Sequence, residues 1–159
     1  MLFMSGEMLV PAHVPTGPSS PSARRRARVL LVDPHALTLW VAASWIQRSP
    51  DLEVCGTAAG VTHAFWAINH SRPDVIVSEI LVLPDLNFIR ELRQRHPRIP
   101  ILVFSIQNPA HYQERILQAG ASDYLPKLAG GEQLVRRVSQ IWHAVLQPEA
   151  GGVATLSYD

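Results

Sequence analysis

The sequence predicts an α/β fold, a doubly wound parallel sheet of five strands and five helices. Two observations carry this. From Arg28 onward, short apolar runs of strand length alternate with segments of helical spacing, ten elements in roughly 120 residues. Several of the runs, "DVIVSEI" above all, are β-branched and apolar without polar alternation, as in strands buried on both faces. Such alternation demands right-handed crossovers with helices on both sides of the sheet.

The elements follow in order. "RVLLVD" is a strand that ends in an acid, Asp33. "HALTLWVAASWIQRS" is a helix, with Leu37, Val41 and Trp45 at i, i+4 and i+8 and Ile46 beside them. "LEVCG" is the second strand, "THAFWAINH" a short helix and "DVIVSEI" the third strand. "LNFIRELRQRH" brings Ile89 and Leu92 onto one helical face, and "PILVFS" is the fourth strand. In "PAHYQERILQAG", Pro109 suits a first helical turn and Gly120 a stop. "ASDYLPK" is the fifth strand. "GEQLVRRVSQIWHAVL" is the closing helix, with Leu134, Val138, Ile141 and Val145 on one stripe and Val135, Trp142 and Leu146 next to it.

Around this core, residues 1–26 read as a flexible Pro/Ser-rich leader, 27–147 as the folded domain and 148–159 as a flexible tail. The basic run Arg24–Arg28 reads as a solvated linker. At 47% hydrophobic and 17% charged, the 159-residue chain has globular composition. A net charge of +1 gives no reason to expect nucleic acid or an anionic membrane as partner. No apolar run approaches the ~20 residues of a membrane span, and the N-terminus makes a poor export signal. A cytoplasmic location is expected. The single cysteine, Cys55, reads as a small buried hydrophobe.

In open parallel sheets the working site lies beyond the carboxyl ends of the strands. Those ends carry Asp33 and Pro34, Glu79, Ser105 and Lys127. With "VLLVDPHAL", "SPDLEVCGTAAG", "RPDVIV", "HPRIPILVFS" and "QAGASDYLPK" in order, the chain resembles the receiver domain of two-component response regulators. The resemblance spans about Arg28 to Leu146 and is nearest to the subgroup usually followed by a helix-turn-helix. It implies a flavodoxin-like, CheY-like sheet of strand order 2-1-3-4-5 and a role in phosphorelay signal transduction.

In that family, two adjacent acids and a third-strand aspartate hold Mg²⁺, and the aspartate accepts a phosphoryl group from a histidine kinase. A hydroxyl and a lysine then bind the new oxygens while an aromatic residue acts as switch. By resemblance Asp33 is the first acid of the pocket, Ser105 the hydroxyl, Lys127 the lysine, Tyr124 the aromatic and Glu79 the phosphoacceptor equivalent. Two positions depart from the pattern. Pro34 supplies no oxygen where the second acid belongs, and Glu79 carries its carboxylate ~1.5 Å further out than Asp would. Asp33 and Glu79 remain as weak metal ligands, and no bound Mg²⁺ or other cofactor is expected. In-line phosphoryl transfer depends on positioning, so phosphorylation at Glu79 is not expected either.

The following loop departs too: Pro84 lies five residues after Glu79 where the family has four, so Ile80 competes for the acceptor position. Asp85 reads as a helix cap, with a substitute phosphoacceptor in the same loop as the alternative. Glu79 either lies where phosphoryl oxygens would be, meeting Lys127 and Ser105 in an on-like arrangement, or forms a structural ion pair with Lys127. His35, His63, His70, His111 and His143 lack compact metal-ligand spacing. Trp142 and Tyr112 read as core or as part of a docking face.

The expectation is thus a stand-alone, atypical pseudo-receiver. It is a signalling protein rather than an enzyme, working by protein–protein contacts with a histidine kinase or an output protein. A homodimer would use the last two helices and fifth strand. The rival is a conventional phosphorylatable regulator of transcription, its DNA-binding output supplied by a partner because no helix-turn-helix follows Leu146. A flavin or nucleotide enzyme is disfavoured, since neither GxGxxG nor a P-loop follows the first strand.

Overall fold

The computed structural model describes residues 25–79 and 86–147. Five parallel strands, β1 (Ala27–Val32), β2 (Leu52–Ala58), β3 (Val75–Ser78), β4 (Ile101–Ser105) and β5 (Asp123–Pro126), form one sheet of order β2-β1-β3-β4-β5. Helices α1 (Ala36–Gln47), α2 (Val61–Ser71), α3 (Asn87–Arg95), α4 (Pro109–Gln118) and α5 (Gly130–Leu146) connect and close it. This is the flavodoxin-like, CheY-like fold expected. Strand order reverses between β1 and β3, so the loops leaving those two strands flank a crevice.

Side chains alternate across the sheet with period two and supply two cores. Leu30, Val32, Ile76, Ile101 and Val103 face α2, α3 and α4, where they meet Ile68, Ile89, Leu92 and Ile116. Val29, Leu31, Val77, Leu102 and Phe104 face α1 and α5, where they meet Ile46, Leu134 and Val138. Because both faces are buried, polar alternation would be costly, which is why "DVIVSEI" has none until Ser78. Each fully buried Leu or Ile contributes roughly 1.5–3 kcal/mol.

Helix ends follow local chemistry. The Asn108 side chain accepts from the Ala110 N–H, with Pro109 in the first turn of α4. Gly120 ends that helix at φ +113°, a conformation that would strain other residues, and its carbonyl accepts from Arg93 Nε at 2.8 Å. Leu86 occupies the N-cap position of α3, without a side-chain cap bond. Asp85, the expected cap, lies outside the described residues, as do Ile80 and Pro84, the leader up to residue 24 and the tail from 148.

Several side chains sit differently from their sequence expectation. In α1 the set Leu37, Val41, Trp45 and Ile46 faces the core only in part: Ile46 is buried and Trp45 packs on the core, but Leu37 does not. Ala42 and Ile46 are buried, Leu39 and Ala43 pack beside them, and Leu37 is 72% exposed. The helix is apolar on every side, so its periodicity could not point to the sheet. The far end of the α5 stripe also leaves the core, with Val145 and Leu146 exposed beyond the edge of the sheet. Cys55 is half-buried rather than buried, packing on the core from edge strand β2. Burial still pushes its thiol pKa up, more than hydrogen bonding from Ser71 and the Arg28 charge pull it down. Trp142 and Tyr112 are half-buried against the two cores, so both contribute packing. His143 is exposed, its ring Nδ1 2.7 Å from the Ser139 carbonyl.

Helix α5 approaches α1 closely at Gly131, where a Cβ would overlap the Trp45 ring. Gly131→Ala is therefore expected to destabilise the fold by about 1–3 kcal/mol through overpacking. Urea denaturation of the variant reads this directly, with an unchanged m-value marking a native-state effect.

Candidate functional site

The crevice between the β1 and β3 ends gathers the residues singled out in the sequence. Backbone bonds set the two acids at the same level. The Asp33 N–H donates to the Ala58 carbonyl at 3.0 Å, and the Glu79 N–H to the Val32 carbonyl at 2.8 Å. Both carboxylates are buried, Asp33 at 5% and Glu79 at 8% exposure. Lys127 does not lie on β5 itself. It opens a short 3₁₀ turn, Lys127–Ala129, immediately after the strand. From there its Nζ reaches Asp33 Oδ2 at 2.5 Å and Glu79 Oε2 at 2.7 Å. One cation thus bridges two buried anions.

Asp33 has further partners that the sequence reading missed. Its Oδ1 accepts the His35 N–H at 2.8 Å and lies 3.1 Å from His35 Nδ1. The signal was available: Asp followed by Pro and then a donor two residues on is the spacing of an Asx turn. Pro34 is exposed and presents no oxygen to the pocket. Beneath the pair, between Leu39, Ala42, Val77 and Phe104, lies a cavity of about 10 Å³. That is about the room one water needs.

Ser105 is fully buried, and its Oγ accepts the Gln107 N–H at 3.2 Å. Tyr124 is buried at 3% exposure, turned into the core, and its hydroxyl donates to the Gln107 carbonyl. Serine, tyrosine and the loop after β4 are thereby tied together at Gln107, a residue that no motif singles out. No buried side-chain nitrogen or oxygen among the described residues lacks a hydrogen-bond partner.

The electrostatics follow from this packing. Burial alone would lower the Lys127 pKa. Its hydrogen bonds to Asp33 and Glu79, with their charges, outweigh that and hold it above the ordinary 10.5. Burial raises the Tyr124 phenol above 10.0 and the Glu79 charge raises it further, with the Ser105 hydrogen bond opposing both.

The donor set does not suit Mg²⁺. That ion needs near-octahedral oxygen ligation at about 2.0–2.1 Å. Here Asp33 Oδ2 and Glu79 Oε2 are held by an ammonium, Asp33 Oδ1 by His35, and position 34 adds nothing. Among the described residues no group of three or more His, Cys, Asp and Glu side chains could hold a metal ion. His63, His70, His111 and His143 are exposed and form no such cluster.

Comparison with known proteins places this arrangement. The family model for the response regulator receiver domain matches residues 29–139, well over half of the chain. The protein belongs to the response regulator receiver domain family. Among similar proteins, a protein-glutamate methylesterase/protein-glutamine glutaminase of Nocardioides is 30% identical over 123 residues, covering 75% of this chain and 34% of that protein. The DNA-binding transcriptional activator DevR/DosR of Mycobacterium tuberculosis is 32% identical over 117 residues, covering 72% of this chain and 54% of that protein. The chain thus spans a third to a half of these relatives. The crystal structure of the response regulator domain of Thermotoga maritima CheB superposes with a TM-score of 0.66 at 25% identity, covering 75% of this chain and 98% of that one. No helix of the described residues is long and apolar enough to cross a membrane.

Removing the bridging cation of this receiver domain would leave two buried carboxylates facing each other. Lys127→Met is expected to cost roughly 3–5 kcal/mol at neutral pH in denaturant unfolding. The raised Lys127 pKa adds a pH signature. Its contribution is complete below 10.5 and lost as pH climbs through the higher folded value, so the wild type loses stability above 10.5 more steeply than Lys127→Met. Tyr124 supplies an optical check. Of the 3 tyrosines, one should form tyrosinate above 10.0 in the folded protein, and Tyr124→Phe should remove that late component from the absorbance titration.

Proposed function

We propose that this receiver domain signals through protein–protein contacts without a phosphoryl switch. The observation that carries the reading is the Lys127 bridge between Asp33 and Glu79. A receiver that accepts phosphate needs a free acceptor oxygen and a cation site beside it. Here an internal ammonium holds one oxygen of each of the two acids named by the resemblance. Glu79 also holds its carboxylate one methylene further from the strand than Asp would, and phosphoryl transfer tolerates such misplacement poorly. Pro34 takes away the remaining ligand.

The inward position of Tyr124, tied to the Gln107 carbonyl, supports a pocket fixed in one state. Both interpretations of Glu79, on-like mimic and structural ion pair, share this consequence, and the bridge favours the ion pair because Lys127 neutralises Asp33 equally. The domain then acts as an interaction module in two-component signalling, in the cytoplasm, with a histidine kinase or an output protein as partner. Its role in this reading is binding rather than catalysis. Methylesterase and DNA-binding activities named for relatives belong to proteins of which this chain covers a third to a half.

Intact-mass measurement after incubation with acetyl phosphate or phosphoramidate and Mg²⁺ tests the reading. No added mass of about 80 Da, the mass of one phosphoryl group on a carboxylate, is expected. A stoichiometric adduct mapped to Glu79 or Asp33 would refute it and return the conventional regulator. The Tyr124 titration should likewise be the same with and without the phosphodonor.

A further inference from the structure

The net charge of +1 conceals a separation of charge along the strands. Because the sheet is parallel, all five strands start at one end of the molecule and the helices finish there. The segments leading into the strand starts carry Arg25, Arg26, Arg48, Arg72, Arg95 and Arg98 against Asp51 and Asp74, and all six arginines are exposed. At the opposite end, the described residues next to the strand ends carry Asp33 and Glu79, with Lys127 as the cation. In strand order β2-β1-β3-β4 the arginines form a row. Arg26 donates to the Ser49 carbonyl, beside Arg48, at 3.2 Å and to the Leu52 carbonyl. Arg25 pairs with Asp74, Arg72 leads into β3 and Arg98 into β4. Neighbouring strands lie about 4.8 Å apart, so positive charge recurs at roughly that step.

Helix capping accounts for part of this row. Arg48 and Arg72 are the C-cap residues of α1 and α2, and Arg95 is the last residue of α3, each at the negative end of a helix dipole. Arg25, Arg26 and Arg98 close no helix. Asp74 takes Arg25 and Glu91 takes Arg95, whereas Arg48, Arg72 and Arg98 have no carboxylate partner among the described residues. Beside Arg25 a cavity of about 430 Å³ opens between Trp142, Leu146, Asp51 and Asp74. Trp142 and Leu146 give it apolar walls, and its volume admits a large side chain.

We propose that this end of the domain binds an extended acidic segment of a partner protein, its carboxylates on the arginines and one bulky apolar side chain in the cavity. Guanidinium forks suit carboxylates. A row of them suits a strand-like chain, whose side chains on one face recur about every 6.7 Å, a step that long arginine side chains can match. A nucleic acid carries the same sign of charge but fits less well. Asp51 and Asp74 line the cavity, so a phosphate backbone there would meet carboxylates, whereas a polypeptide presents N–H donors. The proposal gives the contacts of the preceding section a surface, and rests on that reading only in taking a protein as partner. Lys127 and the acid pocket lie at the other end of the strands, so the phosphoryl question is separate.

Fluorescence anisotropy with the full 159-residue chain tests this. The probe is a labelled peptide of alternating Glu and Ser with one central Phe. Its counterpart with Gln for Glu and an oligothymidylate of equal charge are the comparisons. The Glu peptide is expected to bind at low ionic strength, and more weakly in about 0.2 M salt, where screening acts within about 10 Å. Arg72→Glu combined with Arg98→Glu should weaken binding about tenfold or more, because like charges then face each other, with far-UV circular dichroism unchanged. Leu146→Gln, at the cavity, should weaken the Phe peptide and spare one with Ser in its place. Arg115→Glu combined with Arg136→Glu, the same change of charge on α4 and α5, should leave binding as it was. The phosphodonor mass measurement is indifferent to these results, so the two readings fail separately. No binding of the Glu peptide at low salt would overturn the proposal. So would equal binding of the Gln peptide, equal loss in the α4 and α5 variant, or tighter binding of the oligothymidylate.

Discussion

The contact on which this molecule's character depends is Lys127 lodged between Asp33 and Glu79. Two carboxylates buried at 5% and 8% exposure at adjacent strand ends repel each other unless a proton or a cation offsets one of the charges. The sheet places them there in any case, because β1 and β3 are neighbours in register and both strands end at this level. One of the two charges must therefore be offset. In this chain the cation is covalently part of the fold, delivered by the turn after β5 from 94 residues away along the chain.

That choice of cation shapes what surrounds it. An ammonium takes one oxygen from each acid and asks for no octahedral shell, so Pro34 can stand where another oxygen donor would otherwise be needed. Glu79 reaches the lysine at 2.7 Å. Ser105 and Tyr124 are left to bond with the backbone of Gln107, which closes the loop after β4 over the site. Every polar side-chain atom buried among the described residues is satisfied within the protein.

Surface and site are also linked through α1. Its first residues follow directly on Asp33 and His35, and the groove beside Leu37 and Val41 ends at Lys127. The exposed apolar start of α1 and the bridged acids thus share one edge of the molecule.

Much of this could be read from the residues alone. The alternation of β-branched runs with helical spacing determined the layered parallel sheet, because no other architecture buries both faces of such strands. Parallel strand ends then located the crevice and brought Asp33, Glu79, Ser105, Tyr124 and Lys127 under scrutiny, and the packed structure gathers them there. Sequence spacing could not say which side of α1 is buried, since a helix apolar all round has no informative period. It also could not reveal that one lysine would hold both acids, or that Gln107 would bind both Ser105 and Tyr124 through its backbone. Those outcomes depend on side-chain reach across loops distant in sequence. Periodicity records which residues prefer burial; only the packed chain decides which neighbours they meet there.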